Sequence, residues 1–250
     1  MGFGSNMAIK KNKLVNFLTF FCVFLLPVGQ AYSLPALDPN FYLEADAGYR
    51  SFKFDDGYGG EVFNSSLPQA GFIVGMRFWD YLGVELGYER TRREGNTALI
   101  GANQKVLGRL IPPDGSENHV SEAGIKGQFL NFLVFLPTHP MTRFDILFGM
   151  GIVHSKLLHN DVIVGINNIT LDAPIPRTFL VKQTHARVFG GLQKLFKVHN
   201  SNYVKNAGLR LMVIWENTNV FKNEPALQVK DAFIAAKNSY IVTLGLVVES

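Results

Sequence analysis

Cysteine is almost absent from this chain. Cys22 is the only one in 250 residues, and it lies inside an apolar run at positions 14–28, LVNFLTFFCVFLLPV. Without that run the chain can form neither a disulfide nor a thiolate site, so its stability must come from elsewhere. Charge is scarce too, at 18% of residues against the usual quarter or so, which implies surface that faces something other than water. The net charge of +4 mostly reflects Lys10, Lys11 and Lys13; the remaining Lys and Arg, 24 less these three, nearly cancel the 20 acidic side chains. A basic nucleic-acid footprint is thereby excluded. Beyond Val28 no stretch of about 20 uninterrupted apolar residues occurs, so no further membrane-spanning helix is expected.

Three lysines, an apolar core and small residues around Gly29–Ser33 have the layout of a secretory leader. Cleavage is expected after Ala31 or Ser33. Residues 1–33 then read as a removed signal peptide and residues 34–250 as one domain. The competing reading is a retained anchor helix. The run falls short of the ~20 residues needed to span, and it contains Pro27.

What the rest of the chain has is a period of two. In FYLEADAGYR, Phe41, Leu43, Ala45, Ala47 and Tyr49 point one way and Tyr42, Glu44, Asp46, Gly48 and Arg50 the other. The pattern recurs over 71–78, 82–89, 130–136, 144–153, 185–193, 208–216 and 239–248. In NFLVFLPTHPMTRFDILFGMG, residues 131–151, a run that could pass for a broken helix becomes two strands around Pro137 and Pro140. No charged residue falls on the apolar face of any window; every charge falls on the opposite one.

A soluble sandwich alternates as well. Here, however, the opposite face mixes glycine and large apolar residues with its few charges, which suits a narrow lumen better than open water. Aromatics also collect at strand ends: Phe41, Phe78, Trp79, Tyr81 and Phe144 at one, Tyr49, Phe72, Tyr88, Trp215 and Tyr240 at the other. Such girdles, with windows of about 9–11 residues, mark a membrane-spanning barrel. The connections alternate between short and long. Those around Trp79–Tyr81 and Pro137–Thr142 are short, and 194–206 is longer than that alternation prefers. The expected fold is all-β: an eight-stranded antiparallel up-and-down transmembrane barrel with long external loops.

On these features the chain resembles the small eight-stranded outer-membrane barrels of Gram-negative bacteria, the opacity-type surface proteins. Val242, Leu244, Leu246 and Val248 alternate as in that family's C-terminal assembly signal, with Ser250 where the family has an aromatic. The resemblance implies an outer-membrane location and a non-enzymatic surface role, structural or adhesive. It also implies outer-membrane lipid and lipopolysaccharide around the barrel, and a host or envelope protein as a partner of the external loops.

The inward face carries Glu44, Asp46, Arg50, Arg77, Glu85, Glu89, Asp145, Arg187, Arg210 and Glu216. Buried charges must be paired, so the primary expectation is a network that plugs the lumen; the alternative is an ion path and a small-solute channel. Arg90, Arg92 and Arg93 lie where an outward strand leaves the membrane, near lipopolysaccharide phosphates or simply in water. A short helix is expected over 225–238. His199 and Ser201, in HNSN, are similar to the His-x-Ser-Asn stretch of outer-membrane lipid A deacylases, in which serine is the nucleophile and histidine its base. The bland reading, a polar turn, is preferred. No cofactor or metal site is expected, because the histidines are scattered.

Overall fold

The computed structural model describes residues 39–54, 60–107, 109–139, 144–199, 201, 203–218 and 236–250. The expected leader, 1–33, lies outside the described residues. So does most of the expected helix at 225–238, whose last three residues instead begin a strand.

Eleven strands are described: β1 (Asn40–Phe54), β2 (Ser66–Phe78), β3 (Leu82–Thr91), β4 (Glu94–Ile100), β5 (Lys105–Val106), β6 (Arg109–Leu110), β7 (Glu117–His139), β8 (Phe144–Ile166), β9 (Ile169–Lys197), β10 (Asn206–Glu216) and β11 (Ala236–Glu249). Eight of them form a ring, β3–β2–β1–β11–β10–β9–β8–β7 and back to β3, every pairing antiparallel. Cross-strand partners can be followed from Leu82 through Val134, Phe148, Gly190, Val213, Val242 and Tyr49 to Pro68. That circuit returns to β3 beside Arg92 rather than at Leu82. A stagger of this kind requires tilted strands, and eight of them leave an interior only wide enough for side chains.

All eight windows take the anticipated phase. Leu43, Phe72, Leu86, Phe132, Phe148, Val188, Val213 and Leu246 are exposed on the outside; Glu44, Glu85, Asn131, Asp145, Arg187 and Arg210 are buried inside. The ring is therefore inverted relative to a water-soluble sheet.

The strands run farther than the windows. Residues 154–184, expected as a loop, continue β8 and β9 to a turn at Asn167–Asn168, with φ of 52° and 63°. Both central residues of such a two-residue hairpin turn need positive φ, which Asn tolerates better than most. Pro174 and Pro176 lie in β9, where its described pairing is with β8 alone, so the missing donors disrupt no second ladder. The long connection expected between the windows at 82–89 and 130–136 is likewise largely strand. β4 extends the line of β3 along β7, β5 and β6 form a small hairpin, and the remainder belongs to β7. The 194–206 connection shortens, because β9 reaches Lys197 and the Val198 amide donates to the Lys205 carbonyl. Pro137 falls inside β7 beside a bulge rather than in the turn, and 140–143 lie outside the described residues.

One end of the ring carries the Trp79–Asp80 turn, the 198–205 connection and the described chain ends, where the Ser250 amide donates to the Phe41 carbonyl at 2.9 Å. The other end projects as the long arms of β7, β8 and β9. Along β8 the polarity of the two faces reverses. Asp145 points in and Ile146, Phe148, Met150 and Ile152 point out; farther along, Leu157 and Ile163 point in while Lys156 and Asn160 point out.

Much of the projecting interior is an apolar plug. Val62, Val106, Leu107 and Ile111, each with no exposed surface, pack with Phe52, Phe63 and Leu67 against Ile125, Leu157 and Val181 of the wall. Burying one such side chain contributes roughly 1.5–3 kcal/mol. His159, in the projecting part of β8, is fully enclosed here. Its ring meets Phe63 edge-on at 4.1 Å, and neither ring nitrogen has a hydrogen-bond partner. Burial pushes its pKa from 6.5 down to about 3. Between these values the unfolded plug binds a proton that the folded one refuses. Stability is therefore full above pH 6.5 and falls as the pH drops toward 3. The substitution His159→Leu should flatten that dependence: in circular-dichroism melts at pH 7.5 and 4.5, the wild-type Tm falls more than that of H159L. Equal falls would contradict the assignment.

Candidate functional site

Alternation along six ring strands delivers the inward charges to three levels of the lumen. Nearest the short-turn end, Arg77 Nη1 donates to Asp145 Oδ2 at 2.9 Å and Nε to the Asp80 carbonyl at 3.0 Å, with the guanidinium 4.3 Å from the Phe135 ring. At the middle level Arg210 Nη1 donates to Glu44 Oε2 at 2.6 Å and also to Glu85, while Nε donates to Gln193 Oε1 at 2.8 Å. Glu85 accepts further bonds from Tyr42 Oη at 2.7 Å and Asn131 Nδ2 at 3.1 Å.

The upper level is a closed circuit of alternating charge. Arg50 Nη1 donates to Glu216 Oε2 at 2.7 Å and Nη2 to Glu89; Arg187 Nη2 donates to Glu89 Oε2 at 2.7 Å and Nε to Glu216 Oε1 at 3.1 Å. Gln69 Oε1 accepts from Arg50 Nε at 2.8 Å, His185 Nε2 lies 3.2 Å from Glu216, and the Phe129 ring lies 4.3 Å from the Arg187 guanidinium. Every member of the circuit is buried. Asp46, on the same interior face and half-buried, joins none of these ion pairs.

Space for this network comes from glycine. A Cβ on Gly75 would overlap the Tyr42 ring, and one on Gly245 the Glu44 carboxylate. The glycine-rich inward face is therefore the counterpart of the large inward side chains on the neighbouring strands.

Parity in the sequence locates the charged members of the network. It does not single out the neutral ones, Tyr42, Gln69, Asn131 and Gln193, nor His185, although all share that parity. A second buried group lies in the projecting part. His119 Nδ1 is 3.0 Å from Asp161 Oδ1, and Nε2 is 3.1 Å from Glu117 Oε2, which also pairs with Arg109. Burial works to raise the Glu117 carboxyl, but the Arg109 hydrogen bond and charge, with His119 beside them, hold it below its usual value. Only the register of the extended strands brings these residues together, so no local motif announces them. Among the described residues, no three His, Cys, Asp or Glu side chains are placed to hold a metal ion.

His199 and Ser201 are both exposed on the 198–205 connection. Ser201 Oγ accepts the amides of Tyr203 at 3.3 Å and Val204 at 3.0 Å. Among the described residues no hydrogen bond joins it to His199.

Chemically, Asp46 apart, the lumen is crossed by paired ions rather than lined by free ones. Removing one partner from a buried pair leaves an uncompensated charge and costs about 3–5 kcal/mol. Arg210→Met, which strands Glu44 and Glu85, should lower the unfolding free energy by about that amount in a urea titration. Adding E44Q and E85Q should recover part of the loss. A change within about 0.5 kcal/mol for R210M alone, as at an ordinary surface site, would contradict a tightly paired interior.

No protein-family profile matches the sequence, and no curated protein matches it. Among solved structures, it is similar to Neisserial surface protein A at 12% identity, over 83% of this chain and 96% of that one, with a TM-score of 0.40. It is also similar to the N-terminal β-barrel domain of Pseudomonas aeruginosa OprF, at 12% identity over 84% and 97% of the two chains, with a TM-score of 0.33. A third is the attachment invasion locus protein Ail of Yersinia pestis, at 9% identity over 82% and 97%, with a TM-score of 0.39.

Proposed function

We propose that this chain, after loss of residues 1–33, is a non-enzymatic barrel of the outer membrane of a Gram-negative bacterium. Its role is structural in the envelope, with its projecting arms as the binding surface for a host or envelope protein. The observation that carries this reading is the inverted ring. Apolar side chains cover its outside over the height at which buried ion pairs fill its inside, an arrangement that water would not stabilise and a bilayer would. A closed ring also leaves no unpaired edge at membrane depth.

The exposed aromatics support two interfaces. Phe41 and Tyr81 lie toward the short-turn end, and Tyr49, Tyr88 and Tyr240 toward the projecting end. The short-turn end then faces the periplasm, and the arms of β7, β8 and β9 face outward with the apolar plug inside them. The interior charge network acts as a second, deeper seal. This arrangement disfavours a small-solute channel.

A deacylase of the outer leaflet is disfavoured as well. In this orientation His199 and Ser201 lie on the periplasmic side, and the Ser201 hydroxyl is engaged by its own turn.

Proteinase K treatment of intact expressing cells, with mapping of the released peptides, tests the orientation. Cuts are expected in the 101–105 and 167–175 segments and not at Trp79–Tyr81 or 198–205. Cleavage confined to the latter two would reverse the barrel in the membrane.

A further inference from the structure

The outer surface changes from apolar to basic along one oblique line. On β3 the last large apolar outward residue is Tyr88, and the next outward residue is Arg90. On β7, Leu130 gives way to Gln128 and then Lys126; on β8, Ile152 to His154 and then Lys156; on β9, Val188 to Ala186, Thr184 and then Lys182. The register makes Arg90, Lys126, Lys156 and Lys182 consecutive partners across these four adjacent strands, Arg90↔Lys126, Lys126↔Lys156 and Lys156↔Lys182. All four are exposed.

Like charges placed directly opposite one another destabilise a sheet. Among the described residues none of the four is ion-paired; Glu122, on the same face, is 3.9 Å from Arg93 instead. Beside Arg90 lies a shallow open depression of about 710 Å³, lined by Pro68, Ala70, Arg92 and Arg93 among others. The basic stripe and the depression are continuous with each other and rise directly from the apolar belt.

We propose that this stripe and depression bind the phosphorylated sugar headgroup of an outer-leaflet glycolipid, with the acyl chains lying down the apolar belt below Tyr88, Leu130, Ile152 and Val188. The proposal rests on the reading of that belt as lipid-facing. Three inter-strand steps of about 4.8 Å make the row roughly 14 Å long. That is too long for a single phosphate and suited to two phosphates carried on a small saccharide. The depression takes the sugar, Arg90 and the three lysines take the phosphates, and their mutual repulsion is relieved only when the anion is present. A soluble polyanion would satisfy the charges but make no use of the apolar surface adjoining them.

The test uses the full mature barrel folded in detergent micelles, with folding checked by its heat-modifiable migration on gels. Affinity is measured for core-less lipopolysaccharide, its enzymatically dephosphorylated form, phosphatidylglycerol, inorganic phosphate and a sulfated disaccharide. Wild type should bind the phosphorylated glycolipid and lose roughly tenfold or more on its dephosphorylation. The substitutions K126Q/K156Q should weaken binding by a similar factor, and the single K156Q by less. K197Q/K205Q, the same charge change at the opposite mouth, should leave it unaltered. Unchanged affinity in K126Q/K156Q would overturn the proposal. So would equal binding of the dephosphorylated form, or displacement of the glycolipid by phosphatidylglycerol, phosphate or the sulfated sugar at matched concentration. Flotation with zwitterionic vesicles reports separately on the belt: failure to float refutes the lipid-facing reading itself, whereas flotation without headgroup preference refutes only the site.

Discussion

The circuit of Arg50, Glu89, Arg187 and Glu216 is the interaction on which the rest of the structure depends. Its members come from β1, β3, β9 and β10, so it can form only when the ring is closed. The converse dependence is as strong. An eight-stranded ring is too narrow to hydrate its interior freely, and an unpaired ion there would carry a heavy desolvation cost. Ring closure and charge pairing are thus a single cooperative event. The middle level repeats the logic with Arg210 shared between Glu44 and Glu85, and the glycines facing Tyr42 and Glu44 give that level the room it needs.

From this follows a molecule layered along its axis. Where the interior is ionic, the exterior is apolar. Where the interior turns apolar, around Phe63, Leu107 and Leu157, the exterior turns polar and basic. β8 crosses both layers without a break, and the exchange of faces falls near His154. One sheet therefore carries two opposite arrangements. Its lower part has apolar side chains outside and salt bridges inside, and its upper part has a folded-in hairpin as core. The basic stripe lies at the junction, where the two regimes meet.

Much of this was legible in the residues themselves. The period of two, the exclusion of charge from one face and the short Trp79–Tyr81 turn specify the ring and its phase, because strand side chains have only two directions to choose between. The inward charges follow from the same parity. The length of the arms escapes windows sized to a membrane, although Asn167–Asn168 between alternating residues is a hairpin signal. The His119–Asp161–Glu117 group was not legible at all, since Asp161 joins the other two only through the register of the long β7–β8 hairpin, 42 residues from His119. Nor could the basic row be seen from Arg90, Arg92 and Arg93 alone. Lys126, Lys156 and Lys182 are unremarkable singly and become a site only when β7, β8 and β9 are laid side by side.

If the proposed membrane location is right, the barrel crosses a bilayer with its lumen sealed by its interior ion pairs. Planar-bilayer recording of the purified mature protein, with insertion verified independently, reads this out. The membrane should hold the protein and show no unitary conductance steps above baseline. Reproducible large steps in the wild-type protein would contradict it, because ions would then be passing through a lumen that Arg50, Arg187 and Arg210 and their carboxylates are held to close.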